Sequence, residues 1–334
     1  MMVALSRLPV PRAADWGWSM TVCIAVMCES RKTIICVTDQ KVSFGDFSAD
    51  TIAVNKNDPF AADWVALSAG DDMEHALPIV ERCTSMLYPR GIRKYKALTP
   101  EFVASKFDLA YWERLQRQIE TKVLRKYHFT GKSFNKEGKI KCTATIYNNL
   151  CNRIDQTGLS LTFLICGFGD NETGHILVVD GRNAPTSYDS IGMWAIGSGA
   201  ASALSALAFH ADKHGLSVYS SLPEALYCAC EAKFMAESAK EVGRNTFIII
   251  MQKDARIRCL SPPGVQIIKK IWESKGAPRI PAQALKVIPQ LVYSLDKPKD
   301  EAEARQIIEA MVGKPGYLEK KKAAAKSKDI GSAE

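Results

Sequence analysis

The sequence predicts an α+β fold: two stacked, mainly antiparallel sheets with helices on the outer faces. Three observations predict it. Apolar and β-branched runs fall into two blocks, residues 21–68 and 161–251, on either side of a helical middle. Runs within a block are mostly joined by short polar turns, the connection that suits antiparallel neighbours. Sheets and amphipathic helices with one apolar face each bury those faces most simply as packed layers.

In chain order, Thr21–Val26 and Thr33–Thr38 flank the polar Glu29-Ser30-Arg31-Lys32, a hairpin pattern. The run Trp64–Ser68 ends at Ala69-Gly70, and Asp71 is expected to cap a helix whose inward stripe is Met73, Leu77 and Val80. Thr99-Pro100-Glu101 opens a second helix, with apolar positions at Phe102, Leu115, Ile119 and Val123, running to about His128. Residues 130–145 read as a polar excursion. Strands are expected at Leu161–Gly167, His175–Asp180 and Met193–Gly197, then a small-residue helix at Ala200–Ala211. Ser221-Leu222-Pro223-Glu224 is a capping box opening a helix to about Lys240, and Thr246–Met251 is an apolar strand.

The chain has 334 residues, 47% hydrophobic and 24% charged, a globular composition rather than a disordered or fibrous one. No apolar run approaches the ~18 residues of a membrane span. The first nineteen residues carry Arg7, Pro9, Pro11, Arg12 and Asp15 and lack a signal-peptide core, so a cytoplasmic protein is expected. Ten cysteines without a CxxC pair read as buried reduced thiols. No P-loop, dinucleotide fingerprint or zinc spacing occurs, so no cofactor is expected. His210 and His214 have the i, i+4 spacing of a metal pair, but without a third ligand they read as the polar end of a helix.

The ordered motifs resemble a known family. Thr21–Val26, the aspartate in Val37-Thr38-Asp39 and Ser68-Ala69-Gly70 look like the first half of a proteasome-type subunit. Cys166–Gly169, His175–Asp180, Ala195-Ile196-Gly197-Ser198-Gly199, Pro223–Leu226 and Thr246–Met251 look like the second half. The family includes the proteasome β subunits, a bacterial proteasome-like peptidase and an ancestral-type bacterial relative. The resemblance implies the N-terminal-nucleophile hydrolase fold, a four-layer αββα sandwich, over about residues 21–254. It also implies a threonine-type amide or peptide hydrolase in a self-compartmentalised homo-oligomer.

A threonine hydroxyl needs an adjacent base, and in this family the base is the threonine's own freed amine. An α-amine with an unperturbed pKa of ~7.7–8.0 already suits proton transfer near neutrality. The resemblance makes Thr21 the nucleophile, with residues 1–20 a leader, a propeptide or a mis-annotated start. It makes Asp39 the orienting acid, Gly70 an oxyanion N–H donor at a helix N-terminus, and Ser198 a hydroxyl beside the amine. A lysine is expected ahead of the Trp64 strand. Hydrophobic alternation puts Thr51 at that position, whereas counting back from Gly70 puts Lys56 there. Thr51 is the preferred reading, because Asn55-Lys56-Asn57-Asp58 looks like a turn. Asn245 stands where many β subunits have aspartate.

Net charge is +8, and residues 86–141 hold fourteen Lys/Arg against five acids, an excess of nine. This basic helical insertion, about residues 86–145, is either a solvated face or a surface for an acidic partner. A nucleic-acid role is disfavoured, since the basic residues are not interleaved with aromatics in an RNA-binding pattern. Residues 255–314 read as a C-terminal extension and 315–334 as a disordered Lys-rich tail. The function from another class is a non-catalytic scaffold subunit that binds its partner through the basic segment.

Overall fold

A computed structural model describes residues 21–44, 47–50, 56–61, 63–88, 98–239, 242–253 and 257–275, with short helical pieces at 285–286 and 288–289. The leader, Thr51 and the Lys-rich tail lie outside the described residues. The elements are β1 (Cys23–Cys28), β2 (Thr33–Asp39), β3 (Lys41–Phe44), β4 (Phe47–Asp50), β5 (Asn57–Ala61) and β6 (Trp64–Gly70). Four helices follow: α1 (Ala76–Leu87), α2 (Pro100–Ile119), α3 (Gly131–Lys141) and α4 (Ala144–Gln156). Then come β7 (Leu161–Phe168), β8 (Gly174–Val179), β9 (Thr186–Ser187), β10 (Met193–Ile196), α5 (Ala200–His214) and α6 (Leu222–Ala236). The described chain closes with β11 (Thr246–Gln252), β12 (Arg258–Cys259) and α7 (Pro262–Lys275).

Two five-stranded sheets carry the molecule, ordered β10-β1-β2-β11-β12 and β5-β6-β7-β8-β9, and β3-β4 forms a separate hairpin. Every pairing among the described residues is antiparallel. Strand alternation assigns the faces. Cys23, Ala25 and Met27 of β1 meet Val65, Leu67, Leu164 and Cys166 of the other sheet in a core between the two. Val22, Ile24 and Val26 point the other way, to Ala203, Leu207, Leu226 and Ile268 of α5, α6 and α7. Ala66, Phe163 and Ile165 face Ile79, Val103, Phe107 and Tyr111 of α1 and α2. Helices thus cover the outer face of each sheet, the α+β sandwich arrangement.

Several local expectations are corrected. Asp71 caps no helix: a 3₁₀ turn at Met73–His75 precedes α1, and both neighbouring carboxylates bind Ser160 instead. Leu77 and Phe102 are exposed, and the inward stripes run through Ala76, Ile79, Val80 and Cys83 and through Val103, Phe107 and Tyr111. The stretch read as a polar excursion folds as α3, whose N-terminus is closed by a Thr130–Ser133 capping box, and the start of α4. Its signal was weak because its apolar residues are few and two glycines lie within it. The helix from Pro100 does continue to Tyr127, through a π turn and a 3₁₀ turn, and His128 ends it in the left-handed region. The Ser221 box is present, with Glu224 Oε2 accepting from Ser221 N–H at 3.0 Å. The ten cysteines form no disulfide, and seven are buried. Among the described residues no helix is long and apolar enough to cross a membrane.

Candidate active site

The N-terminal end of β1, the C-terminal end of β2 and the residue before β5 converge at one edge of the sandwich. Antiparallel pairing of β1 with β2 sets Cys23 opposite Thr38, so Thr21 and Asp39 finish at the same edge. Thr21 Oγ1 donates to Asp39 Oδ1 at 2.5 Å. Lys56 Nζ donates to Thr21 Oγ1 and also to Asp39 Oδ1, the latter at 2.9 Å. Thr21 and Lys56 are 3% and 4% exposed, and Asp39 is fully buried. Lys56 is therefore a buried member of the cluster rather than a solvated turn residue, and Asn57 and Asp58, read as part of the same turn, begin β5.

The Asp39 carboxylate is saturated. Oδ1 also accepts from Val22 N–H at 3.0 Å, and Oδ2 accepts from Lys41 N–H at 3.2 Å and Gly243 N–H at 3.0 Å. A buried ion pair is sustained only when such bonds offset its desolvation. Here they do, and they hold the carboxylate in one orientation.

The turn after β10 supplies the other wall. Thr21 N–H donates to Ser198 Oγ at 3.2 Å, and Ser198 Oγ donates back to Thr21 O at 3.3 Å. Gly199 N–H donates to the same carbonyl at 3.2 Å. Gly197 has φ +94°, and a Cβ there would meet Thr21 O at 2.4 Å, so only glycine lets this turn approach the threonine so closely. Ser198 binds the Thr21 backbone rather than capping α5, whose N-cap is Gly199.

Gly70 ends β6, and Cys23 Sγ donates to Ser68 O at 3.4 Å, which ties that strand end to β1. The helix dipole expected at Gly70 is absent, since α1 begins only at Ala76. Burial raises the Cys23 thiol well above its ordinary range, although the Lys56 charge opposes the shift, so Cys23 is no rival nucleophile.

Sequence reasoning missed two contributors. Gly243 reaches Asp39 from the loop before β11, two residues ahead of Asn245, whose carbonyl accepts from Gln40 N–H at 3.3 Å. Lys233 is the other, and the available signal was a lysine inside the apolar run of α6. Of the histidine pair, His210 is buried with Nε2 at 3.0 Å from Glu231 Oε2. Asp72, Glu74 and His75 do bring ligand atoms within 4.8 Å of one another. Both His75 ring nitrogens are engaged there, Nε2 with Gln118 at 2.9 Å and Nδ1 with Arg114 at 2.9 Å, and the guanidinium disfavours a cation. No protein-family model matches this chain, and no curated protein matches it.

Proposed function

We propose that the protein is a threonine-type amide or peptide hydrolase of the N-terminal-nucleophile, proteasome-like kind, with Thr21 as nucleophile. The observation that carries this reading is the buried Thr21 hydroxyl, held between Lys56 Nζ and Asp39 Oδ1. A threonine hydroxyl held between a carboxylate and an ammonium is fixed in place and has a charge at hand to stabilise the alkoxide it becomes.

In the proposed reaction residues 1–20 are first removed, because an acylated Thr21 nitrogen cannot act as base. The freed amine, beside Ser198 Oγ, takes the proton from Oγ1 as that oxygen attacks the substrate carbonyl. Lys56 stabilises the developing alkoxide, Asp39 fixes the ammonium, and the Gly70 N–H is assigned to the tetrahedral oxyanion. The C–N bond then breaks, and the amine passes its proton to the leaving nitrogen, leaving an ester on Thr21. Water cleaves that ester by the same proton transfers in reverse.

Intact mass and N-terminal sequencing of protein from its native host test the reading. A mature chain beginning at Thr21 is expected, and retention of residues 1–20 overturns catalysis in favour of a scaffold subunit. The assembly part of the proposal, a homo-oligomer, is tested by light scattering across a salt series. Basic segments of like charge repel most at low salt, where the screening length grows from ~10 Å at 0.1 M to ~30 Å at 0.01 M. Oligomer size is expected to fall as salt is lowered, and a single species of one-chain mass at every ionic strength overturns the assembly.

A further inference from the structure

Lys233 is wholly buried, yet it is an ammonium on a helix that otherwise packs apolar residues against β1 and β2. All three of its N–H donors are used. Nζ donates to Glu237 Oε1 at 2.5 Å, to Gly243 O at 2.9 Å and to Arg244 O at 3.1 Å. Two of these acceptors belong to the short loop before β11, and the first is the residue whose N–H donates to Asp39 Oδ2 at 3.0 Å. The Gly243 residue is thus held at both ends, its carbonyl by Lys233 and its N–H by Asp39. A Cβ on Gly243 would lie 2.6 Å from Lys41 Cβ and 3.0 Å from Asp39 Oδ2, so the loop is pressed directly against the carboxylate.

We infer that Lys233 is a positioning residue for the Thr21–Asp39–Lys56 cluster, acting through the Gly243–Arg244 loop; its catalytic consequence rests on the hydrolase reading above. The device extends to the C-terminal helix. Glu237 Oε2 receives Lys269 Nζ of α7 at 2.6 Å, and that ammonium lies 5.5 Å from the centre of the Phe234 ring. One carboxylate therefore joins α7 to α6, and the α6 lysine joins both to the loop on Asp39. Burial pulls the Lys233 ammonium below its ordinary range despite the opposing charge of Glu237. A charge held at that cost is kept by its three acceptors, and loses its support if the loop moves away.

Lys233→Met keeps the volume and removes the donors, so the loop should loosen while the sandwich persists. Hydrogen exchange of the Gly243 amide is expected to rise about tenfold while β1 and β2 amides keep their protection. Against a peptide substrate that the wild type cleaves, kcat should fall about tenfold or more at unchanged KM, the mark of a group that acts on the reacting centre and not on binding. Lys233→Gln keeps two donors with shorter reach, should show smaller changes in the same direction, and carries the test if the methionine variant does not fold. A Gly243 amide that stays protected overturns the inference, whether or not the protein hydrolyses anything. Faster exchange in a protein whose wild type cleaves no peptide leaves Lys233 as the brace of the loop and removes the hydrolase reading instead. A rise in KM with unchanged kcat also overturns it.

Discussion

Thr21 and Lys56 share one cluster but should fail differently when removed. Thr21→Ala deletes a hydroxyl and leaves Lys56 and Asp39 paired, so activity should be abolished while stability falls by about 1 kcal/mol. For a chain of this size that is a fall in Tm of about 1–2 °C. Lys56→Met should also abolish activity, but it strands a fully buried carboxylate, a loss of about 3–5 kcal/mol. Peptide hydrolysis and urea unfolding of the two variants check both statements. A Lys56→Met protein that keeps activity within a few-fold would remove Lys56 from the mechanism.

Single elements are held in place by a few polar anchors, and one of them makes stability depend on pH. His175 on β8 stacks on Trp64 of β6 at a ring-centre distance of 6.3 Å, with its Nδ1 at 2.6 Å from Asp189 Oδ2. Asp189 also accepts from Ile176 N–H at 2.8 Å and pairs with Arg31 at 3.2 Å, so it ties β8 to the turn between β1 and β2. Burial alone would raise the Asp189 carboxyl, but the bonds from His175 and Ile176 and the nearby positive charge outweigh it and hold it below its ordinary 3.8. The folded carboxyl is then the stronger acid. Its contribution to stability is complete above the unfolded value and is lost as pH falls through the folded one. Thermal melts from pH 6 downward should fall away below about pH 4, and Asp189→Asn should flatten that acid limb. An unchanged acid limb would contradict the assignment. At the same scale, Ser221→Ala should cost about 1 kcal/mol by opening the cap of α6.

For the whole molecule, α7 is part of the fold and not an appendage. Val265, Ile267, Ile268 and Ile271 are buried in the same core as β1, β2, α5 and α6. Ile268→Ala should therefore cost about 2–5 kcal/mol, the range for a buried aliphatic truncation, and should lower the temperature of one cooperative transition. A separate low-temperature transition in calorimetry would mean that α7 unfolds alone. Because Lys269 also reaches Glu237, loosening α7 should weaken the support of the loop on Asp39 before the sandwich itself melts.

Periodicity and punctuation in the sequence determined most of the elements. The β1–β2 hairpin, the strands of the second block, the long helix from Pro100 and the Ser221 cap are local features, and local sequence encodes them. The candidacy of Thr21, Asp39 and Ser198 came instead from the resemblance of the ordered motifs to proteasome-type subunits. What only the tertiary structure decided is which distant residues meet. Lys56 in a turn-like string of Asn and Asp becomes buried because β6 and β7 place β5 at the edge where β1 and β2 end. Gly243 comes to Asp39 from 204 residues away, and Lys233 on α6 holds Gly243 there by its carbonyl. Sequence separation carries no record of such contacts, because the burial that makes an ammonium seek three acceptors exists only once the layers have packed.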